Sequence, residues 1–131
     1  MIVDSSALLA VVFREQDARR YAEALAEAAQ LRMSAMTWFE AAMAMDRRGD
    51  AVARSRFDSF IEEFGIRIES VSFEHAKHAR AAWRQFGKGQ HKARLNFGDC
   101  LAYGFAKAMG EPLLFKGDDF AQADIEPALK G

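Results

Sequence analysis

LNFGDCLAYGFAKAMGEPLLFKGDDF, residues 95–120, is the stretch that decides the predicted fold. The spacing of its apolar residues predicts a helix over 97–109, and a glycine and a proline then lead into a short apolar strand over 113–115. Two acidic residues, Asp118 and Asp119, follow that strand closely. A carboxylate at the end of a buried strand is costly unless it has a partner or a function. The stretch therefore predicts a helix–strand unit with a functional site at its end.

The start of the chain repeats this pattern. In MIVDSSALLAVVF, residues 1–13, a short apolar strand runs directly into Asp4 and a helix follows. Glu40 and Asp99 lie in the first turns of two later predicted helices. Strand ends and helix starts from distant parts of an open α/β sheet converge at one edge of that sheet. We therefore expect four carboxylates from separate segments to meet at this edge.

The rest of the chain alternates between short apolar segments and amphipathic ones. The predicted strands cover 1–3, 31–34, 66–69 and 113–115, with a last short strand near Ile125. The predicted helices cover 5–13, 16–30, 37–48, 50–64, 72–86 and 97–109. Strands separated by helices indicate an α/β fold in three layers, α/β/α, with a short, mainly parallel central sheet. At 131 residues, without a linker or repeat, the chain is expected to form a single domain over 1–131.

Composition limits the possible functions. Half of the residues are hydrophobic, and a net charge of −1 gives no overall basic field, so any nucleic-acid binding must use a local patch. The single cysteine, Cys100, excludes an internal disulfide and a cysteine-rich zinc site. The N-terminus does not have the pattern of a signal peptide, and no apolar stretch is long enough to cross a bilayer. We therefore expect a cytoplasmic protein.

Each acidic residue also has a purely structural interpretation as a helix cap. Thr37 and Glu40 have the spacing of a capping box, as do Asn96 and Asp99. Asp4 could cap the helix that follows it, and Asp118 or Asp119 could cap a turn at Phe120. A capping carboxylate keeps one oxygen free, so capping and participation in a site are compatible.

Four carboxylates at one place would repel each other, and a hard divalent cation relieves that repulsion. Oxygen ligands favour Mg²⁺ or Mn²⁺ over zinc. Such ions lower the pKa of a bound water and neutralise charge on a leaving oxygen, which is the chemistry of phosphodiester hydrolysis. No covalent nucleophile is required, and Cys100 beside Asp99 is expected to be a small buried hydrophobe.

Three blocks of the chain resemble the PIN-domain ribonucleases, in particular the VapC-type toxins of toxin–antitoxin systems. They are MIVDSSALLAVVF at 1–13, SAMTWFEAAMAM at 34–45 and the stretch at 95–120, of which the last is the most specific. The resemblance implies a PIN-like fold and a Mg²⁺-dependent endoribonuclease, with Mn²⁺ as a plausible substitute. It also implies an RNA substrate cut in single-stranded regions, a cognate antitoxin protein and a homodimer.

The resemblance also implies which residues form the site. The catalytic and metal-binding acids fall on Asp4, Glu40, Asp99 and Asp119. Because the family pattern ends in Asp-Phe, Asp119 is favoured as the fourth acid, with Asp118 as the alternative. The family's small hydroxyl residue falls on Ser6, which is assigned to substrate binding together with Lys92 and Arg94. Ser6 could hold Asp4 or a metal-bound water by a hydrogen bond, or could simply start a helix.

A cationic surface for RNA is predicted over 80–94, where Arg and Lys residues alternate with Trp83 and Phe86. The loop over 87–94 is expected to contact substrate through Lys92 and Arg94, whereas Trp83 and Phe86 are expected to pack inward. His91 lies in the same loop. A histidine in a loop among cations more often contacts a phosphate, or has no role, than acts as a general base.

The predicted helix over 37–48 belongs to a segment unusually rich in adaptable apolar side chains: Met36, Trp38, Phe39, Met43 and Met45. Most of them are expected in the core. The family resemblance adds two further possibilities for this segment, a groove for an antitoxin and a homodimer face.

Two other classes of function fit parts of the sequence. A phosphoacceptor receiver domain has similar size, an acidic pocket and a Lys after a late strand, which Lys116 matches. Against it, a single Asp follows the first strand, and the third strand ends in Glu69 and Ser70 rather than Asp. The second class is a PIN-like module that binds RNA or a partner without catalysis, which the presence of all the acids disfavours.

Overall fold

The computed structural model describes residues 1–89 and 93–129. Its strands are β1 (Ile2–Val3), β2 (Leu31–Ser34), β3 (Ile66–Glu69) and β4 (Leu113–Leu114). Its helices are α1 (Ser5–Val12), α2 (Ala18–Glu27), α3 (Ala35–Arg48), α4 (Ala51–Glu63), α5 (Phe73–Phe86) and α6 (Phe97–Met109). The predicted order of elements is confirmed up to β4, with ends that differ by one to three residues.

The four strands form one parallel sheet in the order β3-β2-β1-β4. In the middle of this sheet, Ile2 pairs with Arg32 on one side and Leu113 on the other. Because β1 and β4 are neighbours, the residues that follow them are brought to the same edge. The backbone N–H of Asp4 donates to the Leu114 carbonyl at 2.9 Å, which fixes this register at the strand ends.

Helices cover both faces of the sheet. Val3 and Leu114 belong to a core cluster with residues of α1, α2, α3 and α4, whereas Ile2 and Leu113 belong to a second cluster with α5 and α6. Successive residues of a strand point to opposite faces, so two apolar residues in a row indicate burial on both sides. The predicted three-layer α/β fold is confirmed.

The short strand predicted near Ile125 is wrong. Ile125 is buried in the second cluster, but the chain there forms only an isolated bridge between Pro127 and Leu113. The Leu113 N–H donates to the Glu126 carbonyl at 2.9 Å, and Ala128 returns a bond to Leu113 at 2.8 Å. Apolar burial of a tail segment thus produced the pattern that suggested a strand.

Two predictions about apolar side chains are also wrong. On α3, Met36, Phe39 and Met43 are exposed, and only Met45 among the five apolar residues is fully buried. On α5, Phe86 is in the core as expected, but Trp83 exposes 43% of its surface. In residues 1–89 and 93–129, none of the helices is both long and apolar enough to cross a membrane.

Candidate active site

Asp4 lies at the carboxyl end of β1 and is also the N-cap of α1. Its Oδ2 accepts hydrogen bonds from the Ser6 amide at 3.1 Å and the Ser6 hydroxyl at 2.6 Å. The carboxyl is only 4% exposed, and burial raises its pKa to about 6, with the Glu40 charge as a smaller cause in the same direction. The cost of burying this charge is therefore only partly offset by its hydrogen bonds.

Ser6 links the ends of the neighbouring strands β1 and β4. Its hydroxyl donates to Asp4 and accepts a bond from the backbone N–H of Lys116 at 2.9 Å. Lys116 follows β4, so this hydroxyl ties the start of α1 to the segment that carries Asp118 and Asp119. The contacts correspond to the predicted alternative in which Ser6 holds Asp4; its substrate-binding role stays a prediction.

Glu40 approaches the site from α3. The Ser5 hydroxyl donates to its Oε1 at 2.9 Å. On the other side, the carboxylate packs so closely on α6 that a Cβ added to Gly98 would lie 1.8 Å from Glu40 Oε2. Glycine at position 98 therefore leaves the space that the carboxylate occupies, directly beside Asp99. The capping role predicted for Glu40 is wrong, because α3 begins two residues earlier with Ser34 as its cap.

Asp99 occupies the first turn of α6. It forms the predicted capping box with Asn96: the Asp99 carboxylate accepts from the Asn96 N–H at 3.0 Å, and the Asn96 side chain accepts from the Asp99 N–H at 2.9 Å. The side chain is 8% exposed, and burial raises its pKa to about 7. The charges of Asp119, Asp4 and Glu40 are smaller causes of the same rise in pKa. Four segments of the chain thus place acids within electrostatic range of one another.

The two candidates for the fourth acid are both exposed. Asp118 and Asp119 line an open cleft of about 370 Å³ together with Lys88, Arg94 and Asn96. Asp119 is the member of the pair whose charge raises the pKa of Asp99, as a smaller cause than burial. This favours Asp119 in the role of fourth acid, as the sequence pattern does.

Within the described ranges, no three Asp, Glu, His or Cys side chains form a group compact enough to hold a metal as they stand. The donor chemistry nevertheless fits a hard divalent cation, since all four acids supply oxygens and the two that are buried, Asp4 and Asp99, have no cationic partner among the described residues. Because Gly98 has no side chain, the Glu40 carboxylate can lie beside Asp99.

The predicted RNA-binding loop is described only in part. Lys92 and His91 lie outside the described residues. Arg94 is exposed at the acidic cleft, with a left-handed backbone (φ 56°). One of the two predicted substrate cations is therefore placed beside Asp118 and Asp119.

Lys116 does not have the arrangement that a receiver domain would require. Its ammonium group binds Glu15 at 2.5 Å and Asp17 at 2.8 Å, in the connection between α1 and α2. These contacts give the side chain a structural role and remove the main feature that favoured the receiver interpretation. Cys100 is buried, as expected, and burial raises the pKa of its thiol to about 11, so it is not a nucleophile near neutral pH.

Sequence reasoning missed Gly98 and Ser5, both of which position Glu40. A glycine in the first turn of a helix was a usable signal, because glycine lowers helix stability and is expected there only for a reason. The hydroxyl of Ser5 carried no comparable signal, since serine is common at helix starts.

Comparisons with known proteins identify the family. A family model described as PIN domain matches residues 1–126. The chain is 45% identical over 130 residues to Ribonuclease VapC28 of Mycobacterium tuberculosis and 43% identical over 129 residues to Ribonuclease VapC42 of the same species, with 98% of both chains covered in each case.

Solved structures show the same fold at lower identity. Mycobacterium tuberculosis VapC20, a Sarcin-Ricin loop cleaving toxin, superposes with a TM-score of 0.73 at 18% identity over 95% of each chain. A toxin–antitoxin complex from Klebsiella pneumoniae gives a TM-score of 0.70 at 18% identity, over 93% of this chain and 91% of that one.

Proposed function

Because the chain belongs to the PIN-domain family, and within it to the VapC-type ribonucleases, we propose that it is a Mg²⁺-dependent endoribonuclease toxin of a toxin–antitoxin system. The observation that carries the proposal is the approach of Glu40 to Gly98, which brings an acid of α3 beside Asp99. Asp4 and Asp119 act electrostatically on the same carboxyl. A catalytically inert binding module would have no need to keep these charges close together, two of them buried.

The chain's own residues hold the acids in a form suited to a cation. Asp4 Oδ2 accepts a hydrogen bond from Ser6, and Asp99 Oδ2 accepts one from the Asn96 N–H. Glu40 Oε1 accepts a hydrogen bond from the Ser5 hydroxyl. The other oxygen of each carboxylate is left for the ion. Bound Mg²⁺ or Mn²⁺ would supply an activated water and neutralise charge on the leaving oxygen. Arg94, beside the cleft, is suited to hold a phosphate of the substrate.

A cleavage assay with purified, antitoxin-free protein tests this proposal. We expect RNA cleavage in Mg²⁺ or Mn²⁺, loss of cleavage in EDTA, and loss in Asp99→Asn, which keeps a side-chain oxygen for the Asn96 amide. Asp58→Asn, a change of an exposed carboxylate on α4, is the matched control and should cleave normally. Cleavage by Asp99→Asn at the wild-type rate, or cleavage that persists in EDTA, would contradict the proposed chemistry.

The proposal includes an antitoxin and a homodimer as partners. The exposed face of α3, formed by Met36, Phe39 and Met43, presents an apolar strip at helical spacing that is suited to a protein partner. Met43→Glu is expected to weaken co-purification with a co-expressed antitoxin, while cleavage is retained. Sedimentation of the wild-type toxin alone tests the homodimer.

We also propose that the protein acts in the cytoplasm. RNA is its proposed substrate, and a free, buried Cys100 is compatible with a reducing compartment.

A further inference from the structure

A second groove lies next to the acidic site, between α5 and α6. Its volume is about 590 Å³, and its walls are mainly apolar, with Ala79 and Leu101 on the two helices. Trp83 and Phe97 line it and expose 43% and 73% of their surface. Two large aromatic side chains so exposed at one groove indicate a binding surface.

The groove adjoins the acidic cleft. Lys88 and Asn96 line both of them. Asn96 is also the residue whose backbone N–H holds the Asp99 carboxylate, and Phe97 is the next residue along the chain. A molecule whose one end lies at Asp99 would therefore reach Phe97 with its neighbouring group.

The indole of Trp83 is held in place by the backbone. A Cβ added to Gly87 would lie 2.6 Å from Cε3 of the indole, so the ring packs directly on the chain at the end of α5. The ring is thus fixed on one side while still contributing to the groove. A rigid aromatic platform loses little conformational entropy when a ligand stacks on it.

Charge indicates what kind of molecule fits. Arg80 and Lys88 lie on the groove and Arg84 is exposed on the same helix, and in the described part of the chain none of the three has a carboxylate partner. The only acid of α5, Glu74, is already paired with Lys77 and His78. Two copies of this chain meeting through α5 would bring like charges together. A polyanion with flat apolar groups matches the surface better.

We propose that this groove binds one unpaired base of the RNA, next to the phosphodiester at the acidic site. Trp83 and Phe97 stack on the base, and Arg80 and Lys88 contact the flanking phosphates. Every base offers a face for stacking, so the groove would select for an unpaired strand more than for a sequence. The inference rests on the proposed ribonuclease function and adds the reason why single-stranded RNA is its substrate.

Binding of abasic RNA tests it. In the Asp99→Asn background, which is expected to bind without cleaving, a short single-stranded RNA is compared with versions in which one base at a time is removed. We expect one abasic position to weaken binding by roughly 10-fold. That penalty should disappear in Trp83→Ala and Phe97→Ala variants, because the stacking partner is already missing. Phe73→Ala, which removes a 78% exposed aromatic of α5 that does not line the groove, should keep the penalty.

A spectroscopic measurement covers the case in which these variants fail to fold. The chain has two tryptophans, so Trp38→Phe leaves Trp83 as the only one. Single-stranded RNA is expected to quench its fluorescence, and the same RNA annealed to its complement should quench it much less. Equal quenching by both would overturn the proposal.

Cleavage by the wild-type protein is measured in parallel, so that the two proposals can fail separately. If the wild type cleaves but no abasic position depends on Trp83 or Phe97, the base-binding groove is wrong and the ribonuclease stands. If the wild type cleaves no RNA, the proposed function itself fails. If Trp83→Ala changes the sedimentation coefficient of the toxin, the groove is an interface between copies and the proposal is overturned.

Discussion

Gly98 shows how one missing methyl group can define an acidic site. Alanine is normally favoured over glycine inside a helix by roughly 0.5–1 kcal/mol. At this position a Cβ would lie 1.8 Å from Glu40 Oε2, so the carboxylate would have to move. Since that carboxylate is the end of a flexible side chain, its displacement should cost little stability and much function.

We therefore predict that Gly98→Ala changes the free energy of unfolding by less than about 1 kcal/mol but lowers the cleavage rate at least 10-fold, because Glu40 is expelled from the site. Chemical denaturation and a cleavage assay measure the two effects. Combining Gly98→Ala with Glu40→Ala should remove the clash without restoring activity. A fully active Gly98→Ala enzyme would show that Glu40 is not needed at its present position.

A second prediction concerns pH and the metal-free protein. Burial raises the pKa of Asp4 to about 6 and that of Asp99 to about 7, against 3.8 in an unfolded chain. Between about pH 4 and pH 7 the folded state holds more protons than the unfolded chain, so its free energy of unfolding falls as the pH rises. The stabilisation that these two carboxyls contribute is fully present below about pH 4 and is lost above about pH 7.

Asp99→Asn should flatten this slope and raise the free energy of unfolding at pH 8 in EDTA by roughly 1–3 kcal/mol. Asp58→Asn, which changes an exposed carboxylate, should leave the slope unchanged. If Asp99→Asn instead destabilised the metal-free protein at pH 8, the capping bonds of Asp99 would outweigh the charge repulsion, and its role would be mainly structural.

At the scale of single residues, the sequence was informative where a role depends on neighbours in the chain. The capping pair of Asn96 and Asp99 is an example, since both partners lie three residues apart. The approach of Glu40 to Gly98 joins two helices that are far apart in sequence. No local pattern encodes that contact, so it could be found only from the fold.

Among the secondary-structure elements, α3 is the one whose N-cap was predicted at the wrong residue. Both Ser34 and Thr37 are good N-cap types, and the spacing of Thr37 and Glu40 favoured the later start. In the structure Ser34 accepts from the Met36 N–H, whereas Thr37 is buried and its hydroxyl has no hydrogen-bond partner among the described residues. The Glu40 carboxylate instead accepts from the Ser5 hydroxyl and lies against Gly98.

This reassignment gives a paired prediction. Ser34→Ala should lower the free energy of unfolding by about 1 kcal/mol, because the cap is lost. Thr37→Val, which keeps the shape and removes an unpartnered buried hydroxyl, should be neutral or stabilising. Thermal denaturation of both variants measures the difference. The opposite ranking would restore Thr37 as the cap.

The apolar residues of α3 and α5 show a limit of helical periodicity. Met36, Phe39 and Met43 have the spacing of a buried strip, as a core helix would, yet they are exposed. The same spacing serves a surface that meets a partner, because both require apolar side chains on one face. Trp83 was misassigned for the same reason. Sequence patterning identifies an apolar face but not the molecule that covers it.

For the whole molecule, alternation of short apolar strands with helices was enough to predict a parallel sheet covered on both faces. Strand order could not be derived in the same way. The pairing of β1 with β4, which are more than a hundred residues apart, depends on how two helical layers share the sheet. That pairing is what brings the acids after both strands to one edge.

The last prediction follows from this convergence. If a divalent cation binds between the acids of four segments, it binds the folded state alone and must stabilise the whole domain, by about 1.4 kcal/mol at a concentration ten times its dissociation constant. We expect Mn²⁺ and Mg²⁺ to raise the thermal midpoint of the wild-type protein in a concentration-dependent way. The double variant Asp4→Asn/Asp99→Asn should start from a higher midpoint in EDTA, since the repulsion is gone, and should not respond to either ion. Asp58→Asn should respond as the wild type does. Equal responses in the double variant and the wild type would place the ion elsewhere on the protein.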